Sequence, residues 1–288
     1  MKVKNKVIVF SAVVSALLWG VLAANGFEQA LSLTAALTLL IAILWVTEAL
    51  PIPVTSLIPF VAFPMAGVID YKEAASALGS HVILLLMGAF MLSKALEKSG
   101  VHRRIAVYML RLCGASSAKR LVLGFMLTSA VLSMWISNTA TTLMLLPIAM
   151  AIITSMNSPK LAAALLLGIA YSASLGGVGT PIGTPPNIIF MSVYQQTTGT
   201  ELSFINWMMT GVPIVLIAIP IMAFWLTRKL SDMPDCDLPK AGDWRPAEKR
   251  VLIVFGIVAL AWIFRPYWSV WTGMTLVSDS TIAIAGVV

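Results

Sequence analysis

Apolar runs as long as a bilayer is thick leave a chain few folds to choose from. Runs at 7–24, 31–47, 52–69, 81–96, 161–194 and 211–227 are apolar through most of their length, and a helix needs about 20 such residues to span a hydrocarbon core. Charge is scarce as well. Only 11% of the residues are charged and 59% are apolar, where a soluble domain carries about a quarter charged residues. The expectation is an all-α polytopic membrane protein. Cys113 and Cys236 both fall in basic segments and offer neither a disulfide framework nor a metal-ligand spacing.

The net charge of +7 would suit nucleic acid, but its distribution points to topology instead. Seventeen of the nineteen Lys and Arg lie in four short stretches: at Lys2–Lys6, from Lys94 to Arg120, at Lys160, and from Arg228 to Arg250. Counting spans puts all four on one face, which the positive-inside rule makes cytoplasmic, with the N-terminus inside a cell (inner) membrane. The opposite loops, 25–30 and 195–210, carry no Lys or Arg. Residues 1–26 imitate a signal peptide, but the apolar character continues beyond them, which favours a first spanning helix.

Two shorter runs, 121–136 and 140–153, are joined by the polar stretch Trp135–Pro147, WISNTATTLMLLP. At 1.5 Å per residue each arm is roughly 21–24 Å long, short of the roughly 30 Å core. The arms either dip in as a re-entrant hairpin, which their shortness favours, or cross twice as thin spans. The run at 251–264 is short by the same measure and is expected to lie at the interface.

Ser, Thr and Asn are preferred helix N-caps, so Ser137–Thr139 ends one half-helix and caps the next. That next helix points free N–H groups and a positive dipole end at mid-membrane, where an anion is favoured. A second break, Leu175–Asn187 (LGGVGTPIGTPPN), interrupts the 161–194 run with four glycines and three prolines. There Thr184-Pro185-Pro186 reads as a cap and a new helical start. Hydroxyls that merely cap a turn between packed helices would explain one break, but two breaks in one bundle is the pattern of a secondary transporter. No Asp or Glu occurs between Lys98 and Thr200, and neither His81 nor His102 lies in a broken element. A cation held there is held by neutral oxygens, which suits Na⁺. Glu48, in WVTEALPIPVTSLIP, is expected to anchor a Pro-rich turn rather than to bind ligand. An intramembrane enzyme with Ser137 as nucleophile lacks a base within reach, so no catalytic residue is assigned. A non-transporting membrane partner is the remaining rival.

WVTEALPIPVTSLIP, SNTATTLMLLP and GGVGTPIGTPPN, three motifs in the right order along the chain, resemble the N-terminal half of the divalent anion/sodium symporters, the sodium-coupled dicarboxylate, citrate and sulfate carriers. The resemblance implies an inverted-repeat, elevator-type homodimer with a re-entrant hairpin and a broken transmembrane helix. It implies a scaffold part (1–120), a transport part (121–227, with hairpin 121–153, broken helix 161–194 and span 211–227), and a basic loop, interfacial arm and start of a seventh span in 228–288. It further implies Na⁺ held by Ser133, Ser137, Asn138 and the loop near Gly183, with Gly176, Gly177 and Gly179 as alternative carbonyls. A dianionic substrate, a C4-dicarboxylate such as succinate or alternatively sulfate or citrate, would meet Asn138, Thr139 and Thr184. The family pattern has a second half with its own triplet. One triplet is present here and the run from Thr281 stops at Val288, so a fragment is expected, with a half-length protein as the alternative.

Overall fold

The structure, a computed structural model, describes residues 2–114, 116–230 and 242–288. Cys236, Lys240 and the middle of the basic loop lie outside them. Every regular element among the described residues is a helix. Seven stretches are long and apolar enough to cross a membrane, and the protein is a multi-pass membrane protein.

The described residues form two compact units, one ending at Ser80 and the other starting at His81. The first contains α1 (Lys2–Ala24), α2 (Gln29–Thr47), α3 (Ile52–Met65) and α4 (Tyr71–Leu78). α1 and α2 pack as a hairpin, with Lys4 Nζ donating to Glu48 O at 3.2 Å. Glu48 ends α2 in a left-handed conformation, φ 47°, and its exposed side chain fits a turn residue better than a ligand. The run expected to span at 52–69 is cut to 14 residues in α3. Pro64 lies in its last turn and Gly67 follows at φ +68°, so the chain turns before a bilayer's depth is covered.

The second unit holds α5 (His81–Ser99), α6 (Val101–Cys113), α7 (Ala118–Ser133), α8 (Asn138–Met156), α9 (Pro159–Gly176), α10 (Pro185–Thr198), α11 (Phe204–Thr227), α12 (Pro246–Trp271) and α13 (Asp279–Ala285). α7, α9 and α11 pack on one another around Phe125, Met126, Leu165 and Ile219, all fully or almost fully buried. Ser117, Ser137, Ser158 and Ser203 each accept a first-turn backbone N–H, a cap contributing about 1 kcal/mol. A second core stacks Phe204 on Trp262, ring centroids 5.2 Å apart. Trp135, at the hairpin tip, stacks on Phe204 and meets Phe255 edge-on.

Two lengths differ from expectation. The second hairpin arm is 19 residues, not 14, because Thr154 and Ser155 turn their hydroxyls back onto Met150 O and Ile152 O and so continue the helix to Met156. At 1.5 Å per residue α8 is about 28 Å long, so shortness argues for a re-entrant hairpin only through the 16-residue α7. The run at 251–264 is the middle of a 26-residue helix, about 39 Å long, which removes the reason for placing it at the interface. Two charged residues that flank the run, Glu248 and Arg265, are paired. Glu248, 2% exposed, meets Arg104 at 2.9 Å and Arg245 at 3.1 Å. Arg265 meets Asp279 at 2.7 Å and Glu201 at 2.6 Å. Arg104 therefore leaves the solvent-facing basic cluster, and its pairing with Glu248 ties two of the basic stretches to the same end of this unit.

Candidate functional site

The hairpin tip is built by a helix that stops early. α7 ends at Ser133, and four residues carry the chain to the first position of α8 at Asn138. Ser137 takes the N-cap, extended at ψ 144°, and its Oγ accepts from Ala140 N at 3.2 Å. The helical spacing of Ser133 and Ser137 suggests one shared face, but the helix is already broken between them. What joins the arms is a different contact: the fully buried Ser133 Oγ donates to Asn138 Oδ1 at 2.5 Å.

The second break runs through 177–184, between α9 and α10. None of its glycines has a positive φ; their use is close approach. A Cβ on Gly177 would lie 2.9 Å from Asn138 Oδ1, and one on Gly183 would lie 2.5 Å from Gly177 O. Asn138, Gly177 and Gly183 thus stack with no room for a side chain between them. The loop is pinned from three sides. Thr180 Oγ1 donates to Met134 O at the end of α7. Trp207 Nε1, from α11, donates to Val178 O at 2.8 Å. Asn187 Nδ2, from α10, donates to Gly177 O at 2.7 Å and Thr180 O at 2.8 Å.

The structure therefore brings Ser133, Asn138 and, through Gly177, Gly183 into one cluster, with Ser137 beside them as the cap. Gly176 O and Gly177 O already accept hydrogen bonds within the loop, from Gly179 N and Asn187 Nδ2. Thr139 is exposed on the first turn of α8, and Thr184 is half-buried at the N-cap of α10. The cluster offers a hydroxyl, an amide and backbone oxygens, the neutral donor set that suits a hard monovalent cation, and helix N-termini that favour an anion. Thr180, Asn187 and Trp207 were not singled out in the sequence. Thr180 and Asn187 lie inside the quoted GGVGTPIGTPPN, and their burial in a loop of glycine and proline is the signal that points to them. Nothing local marks Trp207.

Comparison with known proteins bears on the family of the chain. The family model of the citrate transporters matches residues 42–288. A sodium-dependent dicarboxylate transporter SdcS of Staphylococcus saprophyticus is 38% identical over 272 residues, covering 86% of this chain and 52% of the relative. The SdcS of Staphylococcus aureus strain USA300 is 37% identical with the same coverage. This chain spans about half the length of these relatives. Family and relatives are transporters rather than enzymes, in line with the resemblance expected from the motifs. With the family matched across residues 42–288 and two breaks of helix meeting at one neutral cluster, the chain belongs to the citrate transporter family.

Proposed function

We propose that this chain forms part of a sodium-coupled symporter for a divalent organic anion, a C4-dicarboxylate such as succinate, in the cell membrane with the N-terminus cytoplasmic. The observation that carries this reading is the Ser133–Asn138–Gly177–Gly183 cluster, where a capped half-helix and an unwound loop meet on neutral oxygens alone. Two relatives named as sodium-dependent dicarboxylate transporters support the choice of ion and substrate class. Na⁺ sits against Ser133, Ser137, Asn138 and the backbone at Gly183. The dianion meets Asn138, Thr139 and Thr184, with the sodium charge close by to offset its own.

With no Lys or Arg in either broken element, the anion's charge is compensated by helix dipoles, worth about 0.3–1 kcal/mol each and up to about 2 when partly buried, and by the ion. Sodium is thereby a part of the anion site. In the elevator mechanism that the family resemblance implies, 121–227 moves as the transport part of a homodimer against a scaffold, and α7–α8 acts as a re-entrant hairpin. The test is uptake of labelled succinate into proteoliposomes containing the full chain. A sodium gradient should drive accumulation, with succinate outcompeting citrate and sulfate. Uptake indifferent to sodium would sink the reading, and stronger competition by sulfate or citrate would reassign the substrate.

A further inference from the structure

Asn187 is the third residue of α10 and is only 7% exposed. An amide side chain has two N–H donors on one nitrogen, and here that nitrogen reaches two backbone carbonyls, Gly177 O and Thr180 O, at 2.7 and 2.8 Å. Those carbonyls open and close the turn at 177–180. A residue in the first turn of the half-helix thus clamps the C-cap of the previous one, Gly177. Gly177 passes this grip on: a Cβ added to it would meet Asn138 Oδ1 at 2.9 Å and Gly183 O at 3.4 Å, and one added to Gly183 would meet Gly177 O at 2.5 Å.

We infer that Asn187 is a positioning residue for the sodium site, fixing the spacing between Asn138 Oδ1 and the Gly183 backbone through Gly177. The inference rests on the proposal that Ser133, Ser137, Asn138 and Gly183 hold sodium. Asn187 binds neither the ion nor the anion. Its amide satisfies the carbonyl of Gly177 and keeps the turn from rotating, so the cation meets a cage that is already formed. Without it, the buried Gly177 carbonyl loses its donor and Thr180 O keeps only the longer bond from Gly183 N at 3.3 Å, so the turn re-orients towards other partners. Part of sodium's binding energy then goes into re-ordering the loop.

The experiment is a sodium titration of the melting temperature of the full chain in detergent, with choline replacing sodium to hold ionic strength. The wild type should gain stability as sodium rises, giving a half-saturating concentration. Asn187→Ala should raise that concentration about tenfold or more, and Asn187→Gln, which carries the donors one methylene further out, about threefold to fivefold. A merely structural role would lower the melting temperature equally at every sodium concentration and leave the half-saturating value unchanged, which would overturn the inference. Where Asn187→Ala gives no folded protein, Asn187→Gln decides on the same criterion. A wild type that sodium does not stabilise would remove the sodium site itself, and the positioning role with it. A wild type that responds, beside variants that respond identically, would remove only the role of Asn187.

Discussion

The two half-helices that meet at the cluster, α8 and α10, begin in different ways, and the difference assigns them different work. Both start after an extended N-cap residue, Ser137 or Thr184. Ser137 spends its hydroxyl on its own helix, accepting from Ala140 N. The N–H groups of Asn138 and Thr139, at the first two positions, have no carbonyl of their own helix to meet and in the proposed site face the ligand. α10 is the reverse. Its first two positions are Pro185 and Pro186, which have no N–H at all, and the next N–H, of Asn187, donates to Thr184 O. The Thr184 hydroxyl makes no cap bond and is the group α10 offers. In the proposed site one end offers amides and the other a side chain, so a dipole argument applied equally to both N-termini overstates α10.

Substitutions on the two sides should therefore behave differently. The largest effect is expected at Asn138, the only side chain assigned to both sodium and substrate. Asn138→Ala should lower sodium-driven uptake by about 100-fold or more, since a buried polar contact and an ion ligand are lost together. Thr184→Val keeps the shape and removes the hydroxyl. It should raise the substrate KM about tenfold, the equivalent of about 1.4 kcal/mol, while the half-saturating sodium concentration stays within about twofold; Thr184→Ser should restore most of the loss. Ser137→Ala removes the cap and a proposed sodium ligand, costs about 1 kcal/mol in helix stability, and should shift the sodium response more than the substrate response in parallel titrations. The smallest effect is expected from Pro186→Ala, which returns one N–H to α10. It should tighten substrate binding by no more than about twofold, because Thr184 already supplies the contact. An equal response to changes on both sides would remove the distinction between the two helix starts.

Much of this was legible in the sequence, for reasons that differ by region. The two breaks are read from local chemistry, Gly, Pro and hydroxyl residues at helix ends, and the structure places them where the residues say, with Ser137 as a cap and Pro185 at a helical start. Lengths were less legible. Thr154 and Ser155 look like a helix end until their hydroxyls are seen bonded to the preceding turn. Glu248 and Arg265 flank the apolar run at 251–264 and look like its boundaries until their partners Arg104 and Asp279, more than a dozen residues away, are known. Helical periodicity puts Ser133 and Ser137 on one face, but the helix breaks between them, and the contact that forms, Ser133 to Asn138, arises from the chain folding back. Asn187 was hidden for the same reason as the ion pairs: its role is set by what it reaches across the fold, not by its neighbours in the chain.

The charged network and the neutral cluster are separate designs. The carboxylates of Glu248 and Asp279 are tied to Arg104, Arg245 and Arg265, while the cluster holds no formal charge of its own and in the proposed site takes one from sodium. That dependence is the centre of the account, and the most direct test is the affinity of the purified full chain for succinate by calorimetry, in sodium and then with sodium replaced by choline. The account predicts binding about 100-fold weaker or undetectable without sodium. Equal affinity in both buffers would contradict it, because the dianion would then be held without the cation that the neutral cluster requires.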